Sequence, residues 1–309
     1  MKSICDLPNG RFEKWAHPCA AAIDKTVRER NTPNNMVGNM FRLEAPSQED
    51  VDAFHENGYA VFPDVFTDAG LAALSAEILS RQQVAEFLNK TDEELANLPR
   101  PNRFGERPWS DKGPCARQLF DAPLVTALLQ TVIGAEYHFC HSLFNVHMRG
   151  ARGLGLHQDH HHWRHENPVN LAERHKWYIQ MLYYHNGFGQ GDGSLSIIPG
   201  SHLLSPLEVT PEQLLTEEYG RQAGRPFKVE HLELPPGSMV FLNARVFHGV
   251  AAKALDSPQR YRLQANFIFK EAGPPHLHTQ AIPPEWLEDA SPHRKKLFQR
   301  EPYTPGCWD

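Results

Sequence analysis

Beyond Gly134 the chain changes period. Tyr137-His138-Phe139, Leu143 to Met148, Trp177 to Tyr184, Ser194 to Ile198, Phe227 to Leu234, Met239 to Phe241 and Tyr261 to Phe269 are short β-rich runs separated by Gly and Pro turns. Upstream, the apolar residues recur at helical spacing. Ser47-Gln48-Glu49-Asp50 reads as a capping box opening a helix that stops near Gly58, before the strand-like Tyr59-Ala60-Val61-Phe62. Thr67 caps a second helix running over 67 to 88 on Leu71, Leu74 and Ile78, and Leu124, Leu128 and Val132 mark a third that ends at Gly134. Thr210-Pro211 opens an insert helix. Helices first and then seven or so turn-punctuated strands predict a mainly β fold, an antiparallel double sheet of the jelly-roll kind with flanking helices. The chemistry is then expected in the mouth between the sheets.

At 309 residues and 40% hydrophobic, the chain is long enough for one large core. We expect a peripheral extension over residues 1–46, a principal domain over 47–270 and a C-terminal extension over 271–309 packed on it. The polar stretch from Thr91 to Pro114, rich in Pro and Arg, reads as a covering loop. Five scattered cysteines form no C-x-x-C pair, which disfavours both a disulfide framework and a cysteine zinc site. A net charge of -6 with no basic run beyond Arg294-Lys295-Lys296 gives no footprint for nucleic acid. No stretch approaches the roughly 18 apolar residues of a membrane span, and the first residues show no secretory pattern. The expectation is a cytoplasmic protein whose partner is a small molecule.

His157-Gln158-Asp159 is where the chain becomes chemically specific. In an extended strand residues i and i+2 point to one side, so an imidazole and a carboxylate enter the same cavity. His248 is the third candidate. Two histidines and one carboxylate make the facial triad of non-heme Fe(II) oxygenases, which leaves coordination positions open for a co-substrate and oxygen. Downstream, Arg262, Gln264 and Asn266 share one face of a strand, and a polar face among apolar residues calls for a polar cavity. A guanidinium there can clamp a carboxylate.

These stretches, taken in order, resemble the phytanoyl-CoA dioxygenase family of Fe(II)- and 2-oxoglutarate-dependent oxygenases. The likeness is carried by Phe54 to Pro63, Leu156-His157-Gln158-Asp159-His160, Gly193 to His202, Pro236 to Phe241 running to His248-Gly249, and Arg262. It implies a double-stranded β-helix core of the cupin-like kind, with iron on His157, Asp159 and His248 and the co-substrate carboxylate on Arg262. Arg260 competes for that last role, and Gln180 and Tyr178 are weaker candidates for touching 2-oxoglutarate. The implied reaction takes O2 and 2-oxoglutarate to succinate and CO2 while a C–H bond is oxidised, with ascorbate as an accompanying reductant. Asp159 stands where a halogenase has Gly or Ala. Hydroxylation, desaturation and ring closure all stay open. Val250 departs from members that carry a hydroxyl residue two places after the distal histidine.

Two other readings compete with this one: a non-catalytic jelly-roll binding protein, and a facial-triad enzyme that does not use 2-oxoglutarate. His160, His161, His162 and His165 are read as mainly solvent-facing loop histidines, with contacts to substrate or ligands as the sharper alternative. His202, in a Pro-Gly-Ser-His turn, is read as structural. The candidate substrate walls contain Arg100, Arg103, Arg107, Arg164 and Arg174, which suit an acidic substrate.

Overall fold

The computed structural model describes residues 40–298 apart from 44, 107–112, 121, 135, 160–177, 205–208, 272–281 and 289. In chain order the elements are α1 (Gln48–Asn57), β1 (Tyr59–Phe62), α2 (Asp68–Leu79), α3 (Gln82–Leu88), α4 (Asp92–Ala96), β2 (Arg103–Glu106), α5 (Pro114–Gln118) and α6 (Pro123–Val132). The sheet-rich part follows with β3 (Tyr137–Met148), β4 (Leu154–His157), β5 (Tyr178–Tyr184), β6 (Leu195–Ile197), α7 (Pro211–Leu214), α8 (Glu217–Ala223), β7 (Glu230–His231), β8 (Ser238–Asn243), β9 (His248–Val250) and β10 (Tyr261–Glu271). Two short helices, α9 (Glu285–Glu288) and α10 (Pro292–Phe298), close the described chain.

The strands form two antiparallel sheets, one ordered β1-β8-β5-β10-β3-β2 and the other β4-β9-β6-β7. This is the expected jelly roll. Strand alternation decides what each face meets. Along β10, Leu263, Ala265, Phe267 and Phe269 join the large core under the helices, as do Ile179, Met181 and Tyr183 of β5 and Met239 and Phe241 of β8. The intervening Leu182, Tyr184, Val240 and Leu242 turn inward and pack with Leu195 and Ile197 of the smaller sheet. Arg262, Gln264 and Asn266 lie on that inner face, all buried.

Several local expectations hold. Ser47 and Asp50 form the capping box of α1, and Gly58 ends it at φ 82. A side chain at Gly58 would strike both Val246 and His202, so glycine is required there for space as well as for its left-handed backbone. Thr210 caps α7 with Pro211 in its first turn.

The segment 67 to 88 departs from expectation: it is two helices broken at Ser80-Arg81, where Arg81 is extended. At 100° per residue an unbroken helix would set Phe87 opposite Ile78; the break lets Ile78, Val84 and Phe87 all reach the core. The stretch from 91 to 114 is also more than a loop. Thr91 and Glu94 make a capping box for α4, and Arg103–Glu106 adds β2 to the edge of β3. Arg-Phe-Gly-Glu carries no strand pattern of its own; pairing with β3 makes it one. Of the run 227 to 234, only Glu230–His231 is strand.

Candidate metal centre between the sheets

His157 ends β4 and His248 begins β9, and the two are register partners across the smaller sheet, so their rings fall on one side, 4.6 Å apart. Asp159 lies beyond the end of β4, in a bend, so the expected i, i+2 strand geometry is not what joins it to His157. Its backbone N–H instead donates to the carbonyl of Ala244, in the turn between β8 and β9. Buried Gln158 braces the same bend by donating to the carbonyl of Arg245.

The resulting cluster has all three ligand atoms within 4.8 Å of one another. Asp159 Oδ1 is 3.2 Å from His157 Nε2 and Oδ2 is 3.4 Å from His248 Nε2. Each imidazole is also held from behind. His157 Nδ1 lies 2.8 Å from the carbonyl of Gly155 and His248 Nδ1 lies 2.9 Å from that of Val246. A carbonyl accepts and never donates, so each Nδ1 carries a proton and each Nε2 is the atom turned toward Asp159, able to ligate a metal once it carries no proton of its own. Burial opposes charge on Asp159, but the two imidazoles beside it hold its carboxyl well below the usual carboxylate range. Two imidazole nitrogens and one carboxylate oxygen, converging from one side, suit a divalent transition metal.

Gln180 is buried on the inner face of β5, where its amide donates to Asp159 Oδ2. It in turn accepts from Asn266 Nδ2 at 2.7 Å. Expected as a co-substrate contact, Gln180 thus stands directly behind the carboxylate ligand candidate. Tyr178 is the first residue of β5, and only its backbone belongs to the described set.

Arg262 is 1% exposed. Its guanidinium donates to the carbonyl of Gly193 and, at 2.9 Å, to His147 Nδ1, and it lies 5.5 Å from the ring of Tyr184. Among the described residues no carboxylate pairs with it. Arg260 points elsewhere, reaching the carbonyl of Lys90 on the exposed side. Val250 lies in β9 opposite Leu154 and Leu195. His202 is buried under Gly58 with Nε2 3.2 Å from the carbonyl of His55, in a structural position. His160, His161, His162, His165, Arg107, Arg164 and Arg174 lie outside the described residues.

Three features escaped the sequence reading. His147 and Asn145 alternate with Phe144, Val146 and Met148 along β3, a legible sign of an inward polar face. The Asn266-Gln180 relay joins strands 86 residues apart and has no local signature. Nor does the buried pair of Lys253 Nζ and Asp192 Oδ1 at 2.9 Å, completed by Ser257 2.7 Å from the lysine.

A jelly roll with two histidines and a carboxylate converging between its sheets is the architecture of the facial-triad oxygenases. Residues 54–260 match the family model of phytanoyl-CoA dioxygenase (PhyH), well over half of the chain, and the chain belongs to that family. It is accordingly an iron- and 2-oxoglutarate-dependent dioxygenase. It is 23% identical over 275 residues to the multifunctional dioxygenase ausE of Aspergillus calidoustus, covering 86% of this chain and 88% of that one. The fold is shared with HygX from Streptomyces hygroscopicus, solved with nickel and 2-oxoglutarate (TM-score 0.54, 17% identity, 75% of this chain and 89% of that one). It is shared also with EctD from S. alaskensis, solved with 2-oxoglutarate and 5-hydroxyectoine (TM-score 0.54, 20% identity, 79% and 83%). Among the described residues no helix is long and apolar enough to cross a membrane.

Proposed function

We propose that His157, Asp159 and His248 hold Fe(II), that Arg262 holds the distal carboxylate of 2-oxoglutarate, and that the enzyme hydroxylates a C–H bond of a small organic substrate. The observation that carries this reading is the donor set. Both histidines are locked with Nε2 toward Asp159, and the inner face that backs them carries a buried guanidinium with no carboxylate in ion-pair contact among the described residues. A buried cation without a carboxylate in contact is costly, and a carboxylate ligand offsets that cost.

When bound, iron supplies the redox chemistry that couples decarboxylation of 2-oxoglutarate to oxidation of the substrate. The chain's own residues do the rest. His157, Asp159 and His248 would hold the metal, and three protein donors would leave it able to take further ligands. The relay from Asn266 through Gln180 orients the carboxylate, and Gly193 and His147 fix the arginine. The named small molecules of the relatives, hygromycin B in one HygX structure and 5-hydroxyectoine in EctD, support a substrate of that size class.

The test is succinate formation by anaerobically purified protein given Fe(II), ascorbate, O2 and 2-oxoglutarate, with and without pools of candidate metabolites. Succinate above the metal-free background, raised by one pool, is the expected result. A protein that binds iron yet neither takes up 2-oxoglutarate nor forms succinate sinks the reading.

A further inference from the structure

Asp192 and Lys253 face each other in an isolated antiparallel bridge, and their side chains close a buried ion pair with Nζ 2.9 Å from Oδ1. Ser257 completes it. Lys253 Nζ donates to the serine hydroxyl at 2.7 Å, and that hydroxyl donates to Asp192 Oδ1. The carboxylate also has a local task. Its Oδ2 accepts from the backbone N–H of Gly189 at 3.2 Å, which closes the turn from 189 to 192. That turn therefore carries a negative charge into the interior.

The residue after Asp192 is Gly193, whose carbonyl accepts from the guanidinium of Arg262. A side chain on Gly193 would stand 3.5 Å from Lys253 Cβ and 3.9 Å from Arg262 Nη1, so the turn packs between the lysine and the arginine. Asp192, Lys253 and Arg262 are all buried, and their charges act on one another. Burial opposes the charge on Arg262; among the described residues Asp192 is the one carboxylate that favours it, across the turn and without touching it. Burial opposes the charge on Lys253 as well, while Asp192 supports it and Arg262 works against it.

One carboxylate thus lies near two buried cations, and the geometry gives it to the lysine. Stability does not require that arrangement, because an apolar pair of similar volume often holds a fold as well as a buried ion pair does. Its place beside Arg262 supplies a different reason. An unshared charge on Asp192 would act as the counter-charge of Arg262 and repel a carboxylate entering to meet it, and both effects are strong where water is excluded. We propose that Lys253 is a positioning residue for the co-substrate: by engaging Asp192 it keeps that carboxylate from neutralising Arg262, and so leaves the guanidinium for the distal carboxylate of 2-oxoglutarate. The proposal rests on the reading of Arg262 as the co-substrate arginine.

The test uses the full chain, loaded anaerobically with Fe(II). Visible charge-transfer absorption follows titration with 2-oxoglutarate and, separately, with 2-oxopentanoate, which has the same chelating head but a methyl group in place of the distal carboxylate. The ratio of the two affinities reads the guanidinium, whereas damage to the fold or to the metal centre lowers both together. Lys253→Met is expected to cut the preference for 2-oxoglutarate about tenfold or more. Adding Asp192→Asn removes the competing charge and is expected to restore the preference, with thermal melts showing that each variant is folded. Lys253→Gln, which keeps a donor for Asp192 without the charge, covers the case in which the methionine variant does not fold; its preference falls too. A parental preference in the folded Lys253 variants overturns the proposal, as does a loss that Asp192→Asn fails to reverse. Arg262→Leu, run in parallel, tests the underlying reading separately. That reading fails if this variant keeps the parental preference, whatever the lysine variants show.

Discussion

The side-chain amide of Gln180 donates to Oδ2 of Asp159, so the carboxylate of the candidate metal centre is aimed by a residue on the opposite sheet. Asn266 holds the other end of that amide. Groups that orient a metal ligand typically contribute 10–100-fold in metal affinity or activity. Gln180→Leu is therefore expected to weaken iron binding by roughly that factor, measured by competition with a chelator, while the melting temperature moves little. Wild-type affinity in that variant would remove Gln180 from the site.

Asp159→Ala deletes the one anionic ligand candidate. The expected outcome is loss of iron-dependent succinate formation with an unchanged circular dichroism spectrum, because Asp159 lies in a bend outside the strands. Full turnover in the variant would take the triad out of the reading.

Arg262→Leu removes the buried guanidinium. Truncating one partner of a buried charge pair costs about 2–5 kcal/mol of binding, so 2-oxoglutarate should weaken by more than about tenfold while iron affinity stays. Equal losses in both, measured by parallel titrations, would argue for general damage instead.

Lys253 and Asp192 are 0% and 4% exposed in their side chains, and they tie the turn before Gly193 to the segment after β9. Lys253→Met strands Asp192 as a buried, uncompensated charge, for which the expected loss is about 3–5 kcal/mol in denaturant unfolding. Adding Asp192→Asn should recover much of it. A single variant as stable as the parent would show that water reaches the site.

Burial pushes the imidazoles of His185 and His202 down to about 3, against an ordinary value of 6.5. Between those values the unfolded chain binds protons that the folded chain does not, so stability is complete above about pH 6.5 and falls as pH drops below it. The melting temperature should decline from pH 7 to pH 5. His202→Gln should flatten that decline, and an unaltered slope would show that other groups carry it.

What the sequence determined by itself is local and periodic. The capping boxes, the Gly58 stop, the inward face of Arg262, Gln264 and Asn266, and the pairing of His157 with Asp159 in one short motif are all properties of residues within a few positions of each other. What only the tertiary structure decided lies between distant strands. The meeting of His157 with His248 depends on register in the smaller sheet, and the aim of Asp159 depends on Ala244 and Gln180. The separation of Arg262 from Arg260 depends on where β10 begins: Arg262 lies within the strand and is buried, whereas Arg260 precedes it and turns to the carbonyl of Lys90. The physical reason is that strand periodicity tells which residues share a face, whereas register, which sets what each residue faces, is fixed by the packing of whole sheets against each other.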